Sequence, residues 1–87
     1  MNIQEIANAI QETNNLAYTT YKPMVEDIVA RNASESEVEH LLDDMVGLTG
    51  DDRMLQLFKK VCRRYYEHYP EMIASAILFY KEMYEEE

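Results

Sequence analysis

Only two glycines and two prolines interrupt these 87 residues, and all four fall where a helix would start, stop or bend. No alternating apolar–polar run is long enough to support a sheet, and there is no internal repeat and no low-complexity linker. The chain is therefore predicted to be all-α: one domain over residues 1–87, built as a compact bundle of four or five short helices joined by short turns.

Apolar spacing places those helices. Ile3, Ile6, Ala7 and Ile10 recur at helical intervals, and the same phase continues through Ala17, Tyr18, Tyr21, Met24, Val25, Ile28 and Val29. Two features argue against one unbroken helix. Asn14-Asn15 is a weak helical pair, and Pro23 lacks the amide proton a helix interior uses while disfavouring helix at Lys22. Two helices are expected, roughly 2–14 and 16–31, the second bent or restarted at Pro23; a single kinked helix is the alternative. Asn32-Ala33 reads as a turn, and Ser34 with Glu37 forms a capping box. The helix it opens carries Val38, Leu41, Leu42, Met45 and Val46 on one face and ends at Gly47. After the turn Gly47–Asp52, a helix of about 51–68 is expected to bury Met54, Leu55, Phe58, Val61, Cys62 and Tyr65. Pro70 suits the first position of a last helix, about 70–85, and Glu85-Glu86-Glu87 reads as a frayed, solubilising end.

Charge narrows the function. Seventeen acidic against eight basic residues leave −9, which argues against nucleic acid or anionic membrane as the main ligand. No apolar run approaches the roughly 18 residues of a membrane span, and no signal-peptide pattern opens the chain. The single cysteine, Cys62, has no partner for an internal disulfide, so a reducing, cytoplasmic setting is expected.

Catalytic and metal chemistry find little support. Glu37 and His40 have the spacing by which one helix offers two ligands, but such sites need a second pair, and this one lies opposite Val38, Leu41 and Met45. Asp51-Asp52 lacks the alternating oxygen ligands of a calcium loop. Cys62 sits between Phe58 and Tyr65 on an apolar stripe, the setting of an inert thiol. No catalytic residue, metal ligand or cofactor site is assigned.

Three surfaces remain as binding candidates. The first is acidic: Glu35, Glu37, Glu39, Asp43 and Asp44. The second is basic: Arg53, Lys59, Lys60, Arg63 and Arg64, opposite Phe58, Val61 and Tyr65, and read first as a solvated face. The third is aromatic and apolar. The last helix carries Met72, Ile73, Ala76, Ile77, Phe79, Tyr80, Met83 and Tyr84, an arc wider than one packing face needs. Tyr66, Tyr69, Met72, Phe79 and Met83 are the candidate anchors on it.

In size, acidity and helical content the chain resembles the immunity proteins that neutralise colicin nucleases, which use an acidic helical surface. Their Tyr-Tyr-Pro signature is absent, because Tyr65-Tyr66 is separated from Pro70, and no residue roles carry over. It is similar in style to the small acidic helical inhibitors of phage and mobile elements, anti-CRISPR proteins among them. The expectation is a non-enzymatic interaction protein that binds another protein, in its sharpest version an inhibitor or adaptor of a nucleic-acid-handling partner. A structural homo-oligomer or homodimer is the alternative, and a nucleic-acid binder using the basic helix is weaker.

Overall fold

The computed structural model describes residues 2–84, and among these every regular element is a helix: α1 (Ile3–Ala30), α2 (Glu35–Val46), α3 (Asp52–Tyr65) and α4 (Pro70–Tyr84). No helix among them is long and apolar enough to cross a membrane. The acidic tail 85–87 lies outside the described residues.

Residues 3–30 form one helix of 28 residues, the single-helix alternative rather than the two short helices expected first. Local propensity is overridden by a shared face: Tyr18, Tyr21, Val25 and Ile28 all pack toward the core, so breaking the helix would cost that packing. Pro23 sits on the exposed side, where water can satisfy the carbonyl that lost its donor. Asn2 caps the start, its side chain accepting from the Glu5 N–H at 2.9 Å.

The other boundaries follow the expected signals more closely. At Ser34 both arms of the capping box are made: Ser34 Oγ accepts from the Glu37 N–H at 3.2 Å, and Glu37 accepts from the Ser34 N–H at 2.9 Å. Ser34→Ala should therefore lower stability by about 1 kcal/mol, read as a lower denaturant midpoint with unchanged slope; an unmoved midpoint would mean the box contributes nothing. Helix α3 ends at Tyr65, three residues short of the expected 68. Its terminal carbonyl accepts from both the His68 and Tyr69 N–H groups, turning the chain into α4 at Pro70.

Helix α3 is central and touches the other three helices, while α2 also packs on α4. Its buried side chains are Met54, Leu57, Phe58, Val61, Cys62 and Tyr65. Leu57 takes the place expected for Leu55, which is only half-buried. The two flank the same stripe, and Leu55 falls at the open edge between α3 and α4. Val25 and Ile28 of α1, Ala33 in the connection that follows it, five residues of α2, and Met72 and Ile73 of α4 complete the core.

Three tyrosine hydroxyls close the ends of this bundle. Tyr65, 1% exposed, places its hydroxyl 2.6 Å from the carbonyls of both Ile28 and Arg31, and accepts from the Ala33 N–H at 2.9 Å. Tyr69 donates to the Ala33 carbonyl at 2.8 Å, and Tyr84 to that of Val46 at 3.2 Å. Ile28 and Val46 lie in the last turns of α1 and α2, where backbone carbonyls have no partner within their own helix. Arg64 adds to the clamp, donating to the carbonyls of Val29 and Arg31 and to Asn32 Oδ1. A cation is well placed at the negative end of a helix dipole.

Candidate functional site

The acidic surface divides into two flanks along α2. Glu35, Glu39 and Asp43 follow one another at intervals of four, about 6 Å apart along the axis. All three are exposed, and among the described residues no Lys or Arg pairs with them. Glu37 and Asp44 lie on the other flank, in a hollow they share with Asp27, Arg31 and His40. Glu37 is not free there: Arg31 grips it with two nitrogens at 3.1 and 3.2 Å and also holds Asp27 at 2.9 Å. The guanidinium, with help from the Ser34 N–H, keeps the Glu37 carboxyl down at about 2. Its folded value lies below its unfolded one, so this pairing is present above the ordinary carboxyl range and lost as pH falls toward 2. Among the described residues no three His, Cys, Asp or Glu side chains, those of this hollow included, are arranged so that they could hold a metal ion.

The basic face is depleted by structural duty. Arg53 bonds to Asp51 at 3.2 Å and to Asn15 at 2.7 Å, and its guanidinium lies 4.9 Å from the Tyr18 ring centre. Arg64 is spent on the end of α1 and lies over Tyr65. Lys59, Lys60 and Arg63 remain exposed. Lys59 and Arg63, joined by Lys81, border a groove of about 360 Å³ between α3 and α4, floored by Phe58, Ile77 and Tyr80.

The candidate anchors separate in the same way. Met72 is 9% exposed and belongs to the core, so it offers nothing to a partner; position 72 faces inward because α4 begins against α2 and α3. Tyr69 is half-buried, with its ring stacked on Tyr65 at 5.8 Å. Tyr66, Phe79 and Met83 are exposed at 54%, 53% and 46%. Leu78 and Tyr84, not among the expected anchors, are uncovered as well. What sequence reasoning could not supply is the neighbourhood of Phe79. It borders a shallow hollow between α2 and α4 whose other edge is Glu39 and Asp43. An exposed aromatic ring and two unpaired carboxylates thus form one continuous face.

Cys62 is buried at 6% exposure, and burial pushes its thiol up to about 11. Thiol reagents should modify the native protein far more slowly than the denatured chain; equal rates would place Cys62 at the surface.

No family model matches this chain, and neither the curated proteins nor the solved structures include a match to it.

Proposed function

We propose that this protein is a non-enzymatic interaction domain whose α2–α4 face docks on a positively charged surface of another protein. The observation that carries this reading is the adjacency of Phe79 to Glu39 and Asp43. Aromatic rings that bury much area at little entropic cost are the usual energetic anchors of interfaces, and a border of like charge steers and orients the encounter. The sharpest version is an inhibitor or adaptor of a nucleic-acid-handling protein. In it the row Glu35, Glu39 and Asp43 occupies a cationic groove that otherwise holds phosphates. The basic helix supports a nucleic-acid reading less well, because Arg53 and Arg64 are engaged within the fold. Phe79→Asp tests the proposal: the substitution should abolish capture of the partner while leaving helicity and melting nearly unchanged. Full retention of binding would overturn it.

A further inference from the structure

Helix α1 is longer than the bundle it serves. Its packed half begins near Asn15 and Tyr18, where Arg53 at the start of α3 reaches across. Residues 3–13 are exposed throughout, an overhang of about 16 Å at 1.5 Å per residue. Along it Ile3, Ile6 and Ile10, at 85%, 45% and 57% exposure, continue with no change of phase the face that farther on buries Val25 and Ile28. The stripe looks into the space beyond the first turn of α3.

Such an arm is poorly equipped to stand alone. Asn8, Thr13 and Asn14 are weak helix formers, and a helical segment this short is marginal in water without tertiary cover. The edges of the stripe identify what covers it. Residues 2–21 contain only two charged side chains, Glu5 and Glu12, and both fall on the back of the helix, away from the isoleucines. The flanks are Gln4, Gln11 and Thr13. With no cation, the arm has nothing to offer an anionic lipid surface or a phosphate backbone. With no flanking charge, it has nothing to pair with a charged partner helix. A second copy matches it: apolar stripe meets apolar stripe and amide edge meets amide edge, without repulsion in a chain that carries −9. The series Ile3, Ile6, Ile10, Thr13 and Ala17 also has the alternating three–four spacing of a helix-pairing seam.

We propose that two copies of this chain pair through their α1 arms, antiparallel, about a two-fold axis near Ala7. The direction follows from the fold. Helices α1 and α3 run parallel, since Arg53 meets Asn15 while Arg64 meets Val29. A parallel arm would run on into the place α3 occupies, whereas an antiparallel one ends in the free space before it. The resulting contact is isologous and closed. It lies apart from the α2–α4 face, so the failure of one reading is separable from the failure of the other.

Sedimentation equilibrium from micromolar to near-millimolar concentration tests it. The parent mass should rise from 10.3 kDa toward twice that value. Ile6→Asp with Ile10→Asp should hold the protein monomeric throughout, and its dilute melting should match the parent, because both side chains lie outside the core. Phe79→Asp should dimerise like the parent. A parent that stays monomeric, a double variant that still dimerises, or dissociation caused by Phe79→Asp instead would each overturn the proposal.

Discussion

Tyr65→Phe should destabilise the domain by about 3 kcal/mol, although it removes a single oxygen atom. That hydroxyl accepts from the Ala33 N–H and has one proton to share between the carbonyls of Ile28 and Arg31. Arg64 still reaches the Arg31 carbonyl without it, so the Ala33 N–H, in a residue 3% exposed, and the Ile28 carbonyl are the groups left unpaired. Buried backbone groups left without partners cost about 1–3 kcal/mol each. A domain of this length has roughly 4–13 kcal/mol in all, so the loss should lower Tm by roughly 12–24 °C. Tyr66→Phe is the matched control, since Tyr66 is 54% exposed, and it should change stability by less than about 0.5 kcal/mol. Thermal melts of the two variants side by side decide the matter. Equal melting would mean that the Tyr65 hydroxyl does not clamp the end of α1.

The second large effect separates the two sides of α4. Ile73 is 0% exposed, and Ile73→Asp buries a carboxylate with no partner, at a cost of several kcal/mol that should unfold a domain this small. Phe79→Asp, six residues on, puts its charge into water beside Glu39 and Asp43. Screened repulsion there should cost only a few tenths of a kcal/mol. Far-ultraviolet circular dichroism should show Ile73→Asp unfolded and Phe79→Asp native. If both unfold, the outer arc of α4 is core and its proposed docking role fails with it.

What the sequence made legible was mostly local. The Ser34–Glu37 box and the spacing from Val38 to Val46 place α2 at its observed limits, and Pro70 marks the first residue of α4. These signals act within a turn or two, so they can be read from neighbours alone. The preferred split of α1 fails and its single-helix alternative holds, because Asn14, Asn15 and Pro23 argue only locally for a break, while the packing that overrules them comes from α3. The overhang was invisible for a related reason. Ile3 and Ile28 share one phase, and nothing in the pattern records where the neighbouring helix stops. Tyrosine abundance suggested a contact surface, yet the hydroxyls of Tyr65, Tyr69 and Tyr84 fasten carbonyls 34–38 residues away in sequence. Arg64 is similar, committed to a carbonyl 35 residues away. Within the candidate site, the acidic row and Phe79 were each identifiable, but their adjacency across α2 and α4 is a product of the fold.

The central claim, that the α2–α4 face docks on a cationic protein surface, is tested most directly by charge reversal. The parent and Glu39→Lys/Asp43→Lys, immobilised at equal density, are compared for partner capture from cells that express the protein, over a range of salt concentrations. The account predicts that the parent retains a basic protein whose binding weakens as salt rises, and that the variant, equally helical and equally stable, retains none of it. Retention of the same partner by both proteins, with the same salt dependence, would contradict it.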